Sequence, residues 1–116
     1  VGPMDDELIF NRTGSNIFTT TNMHYVLSNL GVRRLVCVGV LSDVWVASSL
    51  ATAVDLGYEC TILSDACLAA SPDVLERASK IAARVATVCT TTEWLSQRQD
   101  AMDASGRARA PPSSPV

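Results

Sequence analysis

Few residues in this 116-residue sequence could carry chemistry. They are Arg12, His24, Ser42 and Asp43 with Trp45 close behind, Asp65, and cysteines at 37, 60, 67 and 89. A cysteine is nucleophilic only as the thiolate, which needs a helix N-terminus, a cation or a base beside it. Cys37, Cys60 and Cys89 lie in apolar, β-like runs, where free cysteine behaves as a small hydrophobe. Cys67 follows a strand end with no base next to it, so a packed thiol is predicted over a reactive one. The sequence has one histidine and no C-x-x-C pair, so no metal site is expected. His24 is predicted on the exposed side of a helix, with nothing acidic placed to tune it. Ser42 and Asp43 invite a catalytic reading, but both suit the cap of a following helix better. Asp65 reads as a loop or cap residue.

The elements that must hold these residues follow from periodicity. Glu7–Asn11 is a short apolar stretch predicted as a strand, and 12–16 is a polar loop containing Gly14. Met23, Val26, Leu27 and Leu30 fall on one face of a 3.6-residue period, and Gly31 ends that helix. Arg34–Val40 (RLVCVGV) is an apolar, β-branched run of the kind buried on both faces of a parallel sheet. A helix capped by Ser42 or Asp43 runs to about Leu56 and closes at Gly57. Its small residues, among them Ala47, Ser49 and Ala53, suit close packing on a sheet. Glu59–Leu63 is a second strand. Ser71-Pro72-Asp73 reads as N-cap, first helical residue and acidic first turn, and that helix carries Leu75, Ala78, Ala82 and Val85 inward. Ala86–Thr90 is a third core strand, and 91–97 starts a last helix. Strands alternating with such helices imply right-handed crossovers and a parallel α/β sheet. Residues 1–99 are expected to form one domain and 100–116, small, polar and Pro-rich, a disordered tail.

Composition narrows the classes. Apolar residues make up 47%, enough for one core, and mean hydropathy is +0.20. A net charge of −3, a pI near 4.9 and the lack of a basic run argue against a nucleic-acid partner. The longest apolar segment, Leu35–Val46, is interrupted by Asp43 and too short for a membrane span. Reduced, structural thiols are expected, which places the chain in the cytoplasm.

Three motifs in order carry a resemblance: Gly39-Val40-Leu41-Ser42-Asp43-Val44-Trp45-Val46, then Ala53-Val54-Asp55-Leu56-Gly57-Tyr58, then Ser64-Asp65-Ala66-Cys67. Upstream, Arg12-Thr13-Gly14-Ser15-Asn16-Ile17-Phe18 matches a lysine-bearing loop. Over about residues 6–97 the sequence resembles the isochorismatase-like cysteine hydrolases, with their nicotinamidase and ureidoacrylate-type relatives. The resemblance implies a three-layer αβα, Rossmann-like fold with strand order 3-2-1-4-5-6. This chain would supply the C-terminal portion, with strands 3, 4, 5 and 6 and the N-terminal strands absent; alternatively Glu7–Asn11 pairs directly with the central strand.

The implied chemistry is thiol-based hydrolysis of small amides or esters by an Asp–Lys–Cys triad, with no cofactor. A thiolate at the first turn of the helix attacks a carbonyl, an aspartate moves protons, and two backbone N–H groups hold the oxyanion. Carried onto this chain, the nucleophile position is Trp45 and the lysine position is Arg12. The oxyanion donors are the N–H groups of Leu41 and Trp45, a cis peptide is expected at Val40–Leu41, and Phe18 is a substrate-binding candidate. The aspartate has no counterpart. Indole is no nucleophile, and triad members act as a unit, so a catalytically inactive domain is expected. Trp45 either fills the pocket or forms the platform of a repurposed ligand site, and Arg12 either binds an anion or is a solvated loop charge. The alternative function is a binding or assembly module that oligomerises with complete family members; a weaker third is an enzyme using another group in the same cleft. Expected partners are a small-molecule ligand and a homo- or hetero-oligomer, with neither nucleic acid nor membrane.

Overall fold

The computed structural model describes residues 2–108. Its elements in chain order are α1 (Ile17–Thr20), α2 (Met23–Asn29), β1 (Arg34–Val40), α3 (Asp43–Trp45), a π-helical turn (Val46–Leu50), α4 (Ala51–Asp55), β2 (Glu59–Leu68), α5 (Pro72–Ala82), β3 (Thr87–Cys89) and α6 (Thr91–Ala108). The three strands form one parallel sheet in the order β1-β2-β3. Expected helix signals act where they are placed. Ser71 Oγ accepts from the Val74 N–H with Pro72 at the first helical position. Gly31 and Gly57 stop α2 and α4 at φ 74° and 95°, values that glycine alone adopts without strain.

The core lies on one sheet face. In the register Leu35↔Cys60 and Cys37↔Ile62, these four side chains share that face, since side chains alternate along a strand. Cys60 and Ile62 pack with Val46, Leu50, Ala53, Ala78 and Ala82, which come from the helices between the strands. The small residues of α4 and α5 let those helices lie close to β2. Leu63, on the opposite face of β2, is also buried, and α6 contacts β2. The result is an αβα layering with an open sheet.

Several expectations are corrected. Glu7–Asn11 forms no strand and its Leu8 and Ile9 are exposed. A strand exists only with a hydrogen-bonding neighbour, and none stands beside it. β1, expected to be buried on both faces, lies at the edge of the sheet among the described residues, with Val36, Val38 and Val40 exposed to 41, 61 and 79%. β2 runs on to Leu68, past its expected end at Leu63, because its pairing with β1 resumes after an irregularity at Gly39↔Cys67 and Val40↔Leu68. Leu30 is exposed, since α2 ends one residue earlier, while Leu27 packs on the core. Val85 lies beyond the end of α5 and is exposed too. The expected tail divides: α6 continues through 100–108, and the rest of the segment, 109–116, falls outside the described residues.

The start of α6 carries a pH prediction. Asp65 Oδ1 accepts from both the N–H and the hydroxyl of Thr91 at 2.9 and 2.7 Å, the cap role expected of it. Thr90 and Glu93 bond reciprocally in a capping box at 3.0 and 3.2 Å. Hydrogen bonds from Thr91 hold the Asp65 carboxyl below its usual range, and those from Thr90 do the same for Glu93. Lowered carboxyls contribute stability that is complete above the ordinary carboxylate range and is lost as pH falls through their folded values. The Thr91 amide should therefore stay protected from exchange through the ordinary carboxylate range and lose protection only as pH falls below that range. Loss of that protection nearer neutrality would contradict the assignment.

Candidate active site

β1 delivers Val40-Leu41 to the head of the helical run that starts with α3, and a cavity of about 60 Å³ opens there. Its wall includes Cys37, Gly39, Leu41, Trp45 and Cys67. That volume takes a few waters, far below the roughly 300 Å³ of an ordinary ligand pocket. Trp45 is half-buried, packs against the core cluster and lines this cavity. Directly after it, Val46–Leu50 is π-helical, an arrangement that often accompanies functional sites.

The amides at this turn are already engaged. Ser42 is the N-cap of α3 and its Oγ accepts from the Trp45 N–H at 3.1 Å. The Leu41 N–H donates to the Leu68 carbonyl at 2.7 Å. Against the expected cis bond at Val40–Leu41, no cis peptide occurs among the described residues. With this peptide trans, the ladder to β2 continues past Val40 and takes up the Leu41 N–H. Neither expected oxyanion donor points free into the cavity. Asp43 Oδ2 accepts from Arg77 Nε at 2.8 Å, tying α3 to α5, while its Oδ1 is buried with no hydrogen-bond partner among the described residues.

The two thiols in the wall are not poised for attack. Burial pushes the Cys37 thiol up to about 11, with Cys60 and Cys67 nearby adding to the shift. Burial raises Cys67 as well. At neutral pH both are neutral hydrophobes, the packed state expected for them.

The other sequence candidates lie apart from the cavity wall. Arg12 is exposed, and its Nη1 donates to the Ser15 carbonyl at 3.2 Å. Phe18 stacks on Tyr58 at a centroid distance of 5.7 Å. His24 Nδ1 lies 2.7 Å from the Tyr58 hydroxyl and meets that ring edge-on. A set of residues that sequence reasoning passed over anchors the Arg12 loop to the helical run. The buried Ser49 donates to the Ser15 carbonyl at 2.9 Å and accepts from the Ile17 N–H at 3.1 Å. Asn16 caps α1 and donates to Thr52 Oγ1 at 2.8 Å. The usable signal was Ser49 and Thr52, polar residues three apart and so on one helix face. Among the described residues, no group of three His, Cys, Asp or Glu could hold a metal, and no helix is long and apolar enough to cross a membrane.

The family model described as Isochorismatase domain matches residues 1–93. The chain belongs to the isochorismatase family. Among curated relatives it is 36% identical over 77 residues to the ureidoacrylate amidohydrolase RutB of Agrobacterium fabrum, covering 66% of this chain and 34% of that protein. It is 31% identical over 67 residues to YddQ of Bacillus subtilis, an uncharacterized isochorismatase family protein, covering 58% of this chain and 37% of that one. The chain thus spans about a third of the length of these relatives. Solved folds agree. An isochorismatase-like hydrolase from Alkaliphilus metalliredigens superposes with a TM-score of 0.79 at 23% identity, over 84% of this chain and 53% of that one. The nicotinamidase SaPncA from Staphylococcus aureus gives 0.63 at 21% identity, over 68% and 50%. At these identities the two structures establish the fold of this isochorismatase-family chain.

Proposed function

We propose that this chain is a hydrolase-family domain that has lost hydrolysis. The parent chemistry is thiol attack on small amides or esters, as the name of the amidohydrolase relative suggests. The observation that carries the reading is the indole of Trp45 at the helix head, lining the cavity where the resemblance puts a cysteine. Three further features support it. The neighbouring thiols are kept protonated by burial, the Leu41 N–H is committed to Leu68, and Arg12 bonds its own loop. The cavity beside Trp45, about 60 Å³, is small for a substrate.

Assays of the 116-residue chain against ureidoacrylate-type amides, nicotinamide and isochorismate should show no turnover above background. Loss of a triad nucleophile costs a factor of about 10⁶ in kcat. Turnover that a thiol-alkylating reagent abolishes would overturn the proposal.

A further inference from the structure

A polar cleft of about 170 Å³ opens where the strands begin, between the end of α2, the turn into β1 and the turn from α4 into β2. The candidate active site lies where β1 ends, roughly 20 Å away along a seven-residue strand. No residue of β1 itself stands in the wall of the cleft.

Four side chains of the wall can donate hydrogen bonds: His24, Ser28, Arg33 and Tyr58. Among the described residues the wall holds no carboxylate, and Arg33 is exposed with no ion-pair partner. Its neighbour Arg34, by contrast, pairs with Glu59 at 3.2 Å. Tyr58 is 7% exposed, and its ring meets Phe18 face-on and His24 edge-on. Its hydroxyl lies 2.7 Å from His24 Nδ1. With a neutral imidazole this pair carries two polar hydrogens, and one of them occupies the bond between the two groups. The other sits on Nε2 or on the phenol, so a donor is left over in either tautomer. The Ser28 hydroxyl, 3.5 Å from the same Nδ1, is at the limit of a hydrogen bond and can turn elsewhere.

The helix ends around the cleft do not oppose an anion as open carbonyls would. The Gly31 and Val32 N–H groups donate to the Ser28 and Leu27 carbonyls, and the Gly57 and Tyr58 N–H groups to those of Val54 and Ala53. At Gly31 and Gly57 nothing stands within 4 Å of where a Cβ would lie, which keeps the mouth open.

We propose that this cleft binds a phosphate group, with Arg33 matching its charge and with Ser28 and the His24–Tyr58 pair donating to its oxygens. This site goes beyond the loss of hydrolysis and does not depend on it. The donors come from α2, from the turn before β1 and from the start of β2, so they converge from different directions. Tetrahedral phosphate offers oxygens in as many directions, whereas a carboxylate offers two in one plane. The volume is below the roughly 300 Å³ of an ordinary ligand pocket. The ligand is therefore the free ion, or a phosphomonoester whose remainder stays outside.

Titration of the isotope-labelled 116-residue chain with inorganic phosphate, at constant ionic strength set with chloride, should shift the Gly31, Val32, Arg33 and Gly57 amides in the NMR spectrum. The shifts should saturate, with a midpoint at roughly millimolar phosphate. Arg33→Gln should raise the midpoint at least about tenfold. Tyr58→Phe, which keeps the ring, should raise it at least about threefold. Arg34→Gln, one residue along but outside the cleft, should leave it unchanged. Methyl phosphate separates the sources: an equal midpoint supports a phosphomonoester, and a much weaker one supports the free ion. Shifts that never saturate, acetate bound as tightly as phosphate, a midpoint untouched by both Arg33→Gln and Tyr58→Phe, or an equal loss in Arg34→Gln would each overturn the proposal.

Discussion

Replacing Ile62 by alanine should lower the unfolding free energy by about 2–5 kcal/mol, the largest stability effect expected of a single truncation here. Ile62 is 0% exposed, sits in the middle strand, and lies opposite Cys37 on one side and Val88 on the other. It belongs to the same core cluster as Val46, Leu50, Ala78 and Ala82, and the alanines leave the surroundings little freedom to collapse into the space. Net stability of a domain this size is about 5–15 kcal/mol, so the variant forfeits a large share of it. Urea unfolding followed by circular dichroism should give a lower midpoint at unchanged slope. Leu8→Ala, in the exposed segment before α1, serves as the control and should stay within about 0.5 kcal/mol of the parent. Equal losses in the two variants would contradict the placement of the core.

Trp45→Cys should produce a reactive thiol without producing an enzyme. The position lies in the first turn of the helical run, where the positive end of the backbone dipole favours a thiolate. Alkylation at pH 7 should be at least about tenfold faster there than at Cys37, whose thiol burial holds near 11. Site-resolved mass spectrometry of the alkylated chain reads this directly. Hydrolysis should remain at background, because among the described residues the cavity wall carries no carboxylate or amine to move protons. The lost indole should also cost about 2–3 kcal/mol, since Trp45 is half-buried against the core. Turnover in Trp45→Cys would show that a proton-transferring group reaches the cavity after all.

Local signals were legible in the residues themselves. Ser71-Pro72-Asp73 predicted the start of α5 because cap, ring and first-turn charge all act within one turn of chain. Gly31 and Gly57 marked helix ends because a left-handed backbone excludes other residues at little cost to detect. The apolar runs at 34–40, 59–63 and 86–90 placed three strands, and the alternation with helices made them parallel. The motif around Ser42 and Trp45 placed the candidate site at a strand-to-helix turn, where the cavity lies.

Sequence alone determined the alternating α/β plan, the helix caps and the indole at position 45, since each is written in neighbouring residues and in side-chain chemistry. Only the tertiary structure decided that, among the described residues, β1 is an edge and Glu7–Asn11 stays unpaired, that Phe18 stacks on Tyr58, and that the Leu41 N–H is spent on Leu68. Those outcomes depend on which distant segment lies alongside. A strand's hydrogen bonds and a ring's contacts are made across the fold, and a run such as RLVCVGV reads the same with one neighbour as with two.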